Sequence, residues 1–127
     1  MSKLPSIYIA GPFRARTAWE IENNIREAEH WGLAVAKLGA VPIIPHSMYR
    51  FFHGVLPDPF WIEATLTLLR PCDALLVIDF REKARWQAST GTVGEVEEMR
   101  RLGRPRFFLD DFVNGSLAAW IEERMSQ

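Results

Sequence analysis

The chain has 127 residues, 48% of them apolar and 24% charged, with a formal charge of −1 at pH 7. That length suits one domain with a real core, expected over 1–127, and the composition excludes a disordered chain and a polybasic surface for long nucleic acids. A single cysteine, Cys72, excludes an internal disulfide or a multi-cysteine metal site and fits a reducing cytoplasm; no leader and no apolar run near the ~20 residues of a membrane span is recognisable, so a soluble cytoplasmic protein with no membrane partner is expected.

Ser6 to Ala10 reads as a first strand, rich in β-branched and aromatic residues and stopped by Gly11-Pro12. Thr17-Ala18-Trp19-Glu20 has capping-box spacing and launches a helix with the stripe Ile21, Ile25, Ala28, Gly32 and Val35, ended by Gly39. Val41-Pro42-Ile43-Ile44 is a second strand whose proline suits a sheet edge. From Pro45 to Pro57 no clean period is visible, and this aromatic stretch, with His46, Phe51 and Phe52, is expected to be a loop or lid. Asp58 as N-cap and Pro59 as first helical residue open a helix through Trp61, Leu66 and Leu69 to Arg70.

Asp73 to Asp79 is an apolar run of the kind that forms a strand covered on both faces. A charged loop, Phe80 to Gln87, follows and leads into Ala88-Ser89-Thr90-Gly91-Thr92-Val93-Gly94-Glu95, where a glycine-containing loop turns into a helix. Glu95, Met99 and Leu102 share one stripe of that helix, so Glu95 points inward; Glu97, Glu98 and Arg101 fall on the other side, with Glu97 and Arg101 spaced as an ion pair. Thr92-Val93-Gly94-Glu95 equally fits a capping box, which would give Glu95 a local task, although capping does not require the space that Gly91 and Gly94 leave around it. Arg106 to Leu109 is a fourth strand with Asp110-Asp111 at its carboxyl end, and a helix carrying Leu117, Ile121 and Met125 follows.

The alternation of strands and helices predicts an α/β fold, a doubly wound parallel sheet of order 2-1-3-4 with helices on both faces. Its switch point, between the first and third strands, would bring Ala10 to Arg14 beside Ser89 to Thr92. Backbone amides, hydroxyls and the Arg14 guanidinium there suit a phosphate, although a lone loop arginine is more commonly a surface residue. Glu95 would be the reacting carboxylate, with Tyr8 as its neighbour.

Tyr8-Ile9-Ala10-Gly11-Pro12-Phe13-Arg14, the Trp61 to Asp73 segment and Ser89-x-Gly91-x-x-x-Glu95 together resemble the nucleoside 2-deoxyribosyltransferase superfamily. The Gly-x-x-Arg form of the first loop is most similar to its 2'-deoxynucleoside 5'-monophosphate N-glycosidases. The resemblance implies Glu95 as nucleophile at the anomeric carbon and Tyr8 as the group that orients it. It implies phosphate contacts from Gly11, Phe13, Arg14, Ser89 and Gly91, no metal or organic cofactor, a small nucleotide or nucleoside as ligand, and a homodimer or larger homo-oligomer. Exposed aromatics at Tyr49, Phe51, Phe52 and Trp61 point to association as well.

One position departs from the family pattern. An aspartate usually stands eight residues before the aspartate that opens the central strand, and here that position is Thr65, ahead of Asp73. Asp79 is the first candidate to replace it as general acid; Asp73 lies at the wrong end of the strand, and Glu63 is about 200° around the helix. The alternatives are a nucleotide-binding module with weak catalysis, and a ribonucleotide phosphoribohydrolase, whose Gly-Thr-x-x-Glu resembles Gly91 to Glu95. A structural interaction domain has little support beyond its exposed aromatics.

Overall fold

The computed structural model describes residues 4–127, so the first three residues of the expected domain lie outside the described part. Ser6–Ala10 forms β1, Val41–Ile43 β2, Ala74–Val77 β3 and Arg106–Phe107 β4. They make one parallel sheet of order β2-β1-β3-β4, as the sequence predicts. Tyr8 stands opposite Leu75 and Ala10 opposite Val77, so the last residues of β1 and β3 end side by side. Chain order reverses at this pair, and the loops leaving β1 and β3 diverge to leave a crevice.

Alternation along β1 sorts the core into two layers. Ile7 and Ile9 face Ala28 and Val35 of α1 (Ala18–Lys37) and Leu117 and Ile121 of α7 (Ser116–Met125). Tyr8 and Ala10 face the opposite layer, with Leu69 of α3 (Asp58–Leu69) and Val96 and Met99 of α5 (Thr90–Arg101). α1 begins where its sequence signal places it, with the Thr17 hydroxyl accepting the Glu20 amide at 3.1 Å. At the amino end of the sheet, Asp73 accepts the Ser6 amide at 2.8 Å and the Arg124 guanidinium at 2.9 Å, which joins β1, β3 and α7.

The differences from expectation lie in short elements. The Pro45 to Pro57 stretch is not a patternless lid: Pro45–Tyr49 forms α2, a single turn that proline at its first position presets. It is held because Arg50 is gripped by Glu22 and Glu29 of α1, with four N–O contacts of 2.9–3.2 Å. One turn contains no period for a sequence reading to detect. α3 starts one residue early, with Pro57 as N-cap and Asp58 already helical. The 80–87 segment contains α4 (Ala84–Gln87), and β4 stops at Phe107, giving way to α6 (Leu109–Val113). Asp110 and Asp111 are therefore tethers: Asp111 accepts the Phe108 amide and pairs with Arg81, and Asp110 accepts the Arg81 amide. No helix among the described residues is long and apolar enough to cross a membrane.

Candidate active site

Tyr8 is the third residue of β1, fully buried against the α3–α5 layer, and its hydroxyl donates a hydrogen bond to Oε2 of Glu95. Two residues 87 apart in sequence thus meet at the carboxyl end of the central strands. Among the described residues no donor reaches Oε1. Burial pushes the Glu95 carboxyl up from 4.5 to about 7, against the opposing pull of the Tyr8 hydrogen bond. Burial and the adjacent carboxylate push the Tyr8 phenol well above its ordinary value, so Tyr8 is a neutral donor.

The capping alternative for Glu95 is not what the chain adopts. Ser89 is the N-cap of α5, its hydroxyl accepting the Thr92 amide at 3.3 Å and the Thr92 hydroxyl at 2.9 Å. Glu95 therefore lies on the second turn, beyond the reach of a capping box, and Gly91 sits in the first turn rather than in a loop. A Cβ at Gly91 or Gly94 would meet nothing within 4 Å. Each glycine costs a helix roughly 0.5–1 kcal/mol relative to alanine, so packing does not account for the pair. Glu97 pairs with Arg100, and Glu98 with Arg101, rather than Glu97 with Arg101.

The β1–α1 loop runs beside this pair. Gly11 is required by contact, since a Cβ there would come within 2.6 Å of Ile78. The Asn24 amide donates to the Phe13 carbonyl at 3.0 Å, and the Phe13 ring stacks on Tyr49 at 4.4 Å and 24°. Arg14 turns to the start of α3 and pairs with Asp58 at 2.6 Å, an exposed contact with side chains 70% and 58% accessible. A hydrogen bond from Arg14 to this carboxylate raises the guanidinium pKa further.

The three expected lid residues have three different settings. His46 is a buried core residue, 4% exposed, whose Nε2–H donates to the Pro12 carbonyl at 3.1 Å; burial lowers its pKa. Phe51 is 84% exposed and lines a groove with Glu22, Arg26, Glu29 and Arg50, away from Glu95. Phe52 lies on Trp61, with centroids 6.2 Å apart.

Thr65 does face the site. Its hydroxyl donates to the Ile62 carbonyl at 3.0 Å and lies on the side of α3 towards the Tyr8 phenol. Asp79, the expected substitute acid, is 2% exposed and accepts the Phe80 amide at 2.9 Å, the Trp86 amide at 3.2 Å and the Arg85 guanidinium at 3.0 Å. It organises the 80–87 segment, and no hydrogen bond joins it to Tyr8 or Glu95. Glu63 is engaged by Arg70 at 2.8 Å.

Sequence reasoning passed over Asn24 and Asp58 as site components and took Tyr49 and Trp61 for exposed aromatics, although Trp61 is buried. Only Trp61 had a usable signal, its four-residue spacing from Thr65 on one face of α3. A cavity of about 650 Å³ opens between the 80–87 segment, α5 and β4, lined by Arg81, Trp86, Val96, Arg106 and Phe108; the Tyr8–Glu95 pair lies outside it. Among the described residues no group of three or more His, Cys, Asp or Glu is placed to hold a metal ion.

No curated protein matches the chain. Residues 5–108, which contain the whole sheet, Tyr8, Thr65 and Glu95, match the family described as a domain of unknown function, DUF7768, and the chain belongs to that family.

Proposed function

We propose that the chain cleaves the N-glycosidic bond of a nucleoside 5'-monophosphate, ribose or deoxyribose, through a covalent intermediate on Glu95. The observation that carries this reading is a half-buried carboxylate whose pKa is pushed up to about 7, held at one oxygen by a neutral tyrosine, in the crevice where parallel sheets bind ligands. Departure of the base builds positive charge on the sugar, which a carboxylate in that setting stabilises strongly. The free oxygen of Glu95 bonds to the anomeric carbon as the C–N bond breaks, and water, or a second base, then displaces the ester. Tyr8 holds the other oxygen, fixing the plane of attack.

The 5'-phosphate would meet the Gly11 to Arg14 backbone and the start of α5 at the Ser89 hydroxyl and the Gly91 amide, where a helix N-terminus favours an anion. Arg14 must leave Asp58 to reach it. An exposed ion pair is worth about 0–1 kcal/mol, so a phosphate dianion competes well for the guanidinium. No cofactor enters this scheme. We further propose a cytoplasmic homo-oligomer, since Phe51, Phe52, Phe60 and Ile62 are exposed along one stretch.

Incubation with ribo- and deoxyribonucleoside monophosphates, followed by chromatography for free base and mass spectrometry for a glycosyl adduct on Glu95, tests the reading. Base release abolished by Glu95→Gln is the expected result. The absence of a usable acid at Thr65 and Asp79 favours one alternative, a binding module, which would bind nucleotides and release no base.

A further inference from the structure

We infer that the base released here already bears a positive charge at its glycosidic nitrogen, making the substrate a nucleotide of a pyridinium or N-alkylated purine. The inference rests on the glycosidase reading and adds the chemical class of the leaving group.

Its first ground is the set of proton donors around Glu95. A neutral base departs as an anion unless a general acid protonates it. Thr65 offers only a hydroxyl, already donated to Ile62. Asp79 accepts from three neighbours, and Asp58 opens α3 seven residues before Thr65, about 10 Å away along the helix axis. Asp73 is bound to Ser6 and Arg124 at the far end of the sheet. His46 donates its one neutral-form proton to Pro12, and its Nδ1 is buried without a partner. Glu95 itself is consumed as nucleophile in the first step. Tyr8 holds its proton harder than an ordinary phenol does.

A cationic base needs no such donor. The Glu95 oxygen–C1' bond forms, the C1'–N bond breaks, and its electron pair cancels the positive charge on the ring nitrogen, so the base leaves neutral. Water then adds hydroxide to C1', and its proton goes to solvent as the Glu95 carboxylate is regenerated.

The second ground is the wall beside the site. Phe13 stacks on Tyr49, Tyr49 lies 4.8 Å from Trp61, and Phe60 meets Trp61 edge-on at 5.0 Å. Trp61 precedes Thr65 by four residues on α3, about 6 Å along the helix axis, so the wall begins one turn from Thr65. Aromatic faces attract cationic rings, and the Glu95 carboxylate adds charge of the matching sign.

The test compares guanine nucleotides that differ by one N7-methyl group and the positive charge it brings. Guanosine 5'-monophosphate and N7-methylguanosine 5'-monophosphate are incubated with the full chain, in ribose and 2'-deoxyribose forms, with nicotinamide mononucleotide as a pyridinium probe. The expected result is a kcat/KM for the cationic members at least ~10²-fold above the neutral ones, the contribution a general acid would otherwise supply. Rates within a few-fold for the two guanine nucleotides would overturn the inference and leave the glycosidase reading standing. No base release from any of them would overturn both. The pH profile gives a second readout, taken with nicotinamide mononucleotide because its pyridinium charge does not titrate: kcat/KM should rise with ionisation of Glu95 and then stay level. A descending limb above neutrality would reveal a required proton donor and refute the inference.

Discussion

Replacing Glu95 with glutamine should make the protein more stable and inactive at once, and the gain should depend on pH in a defined direction. The folded carboxyl titrates at about 7 against 4.5 for the ordinary group, so the folded state binds protons more tightly than the unfolded one. Between those values the unfolded chain gives up its proton while the folded chain retains it, and stability falls as pH rises through that window. Each tenfold change in proton affinity is worth about 1.36 kcal/mol, so the displacement corresponds to roughly 3 kcal/mol lost above neutrality and none below 4.5. Glutamine keeps an oxygen for the Tyr8 hydroxyl and has no proton to lose. Urea unfolding of both proteins at about pH 4.5 and about pH 8 reads the effect as a shift in midpoint at constant slope. The variant should gain on the wild type by roughly 3 kcal/mol at the higher pH and little at the lower. An equal difference at both would show that Glu95 is not desolvated, and the argument for a reactive carboxylate would fall with it.

Tyr8→Phe removes the hydrogen bond that lowers the Glu95 pKa, so the rising limb of kcat/KM should move to higher pH; an unmoved limb in a pH-rate profile would separate Tyr8 from the nucleophile. Asp58→Asn frees Arg14 and should tighten nucleoside monophosphate binding several-fold by calorimetry, while Arg14→Ala should weaken it by about 1.5–3 kcal/mol and leave nucleoside binding alone. Asp79→Asn should cost about 1–3 kcal/mol of stability and speed amide exchange at Phe80 and Trp86; normal exchange with lost turnover would restore it as an acid. Thr65→Asp should raise turnover of a neutral-base nucleotide by ~10²-fold, and an unchanged rate would show that position 65 does not reach the leaving group.

The sheet order was legible because each long element carries its own signal: the apolar run Ala74–Val77, the Thr17 cap and the stripe of α1 read the same way locally and globally. Glu95 was legible for a different reason, as a carboxylate on an apolar stripe. What escaped was whatever depends on a partner distant in sequence. Arg14 next to Asp58 and Asp79 next to Arg85 look, one residue at a time, like free functional groups, and only the fold shows which charges are already matched. The single turn of α2 escaped as well, since its stability comes from the Arg50 clamp on α1 and not from its own five residues.

The family match ends at Phe108, yet Leu117 and Ile121 beyond it are fully buried over Ile7 and Ile9. The span that defines the family is therefore not the span that folds by itself. A protein cut after residue 108 would uncover the part of that sheet face that α7 packs against, losing about 1.5–3 kcal/mol for each of the two side chains. Inheritance and cooperativity draw different boundaries on this chain, and any relative that retains only the shared segment needs another cover for that face.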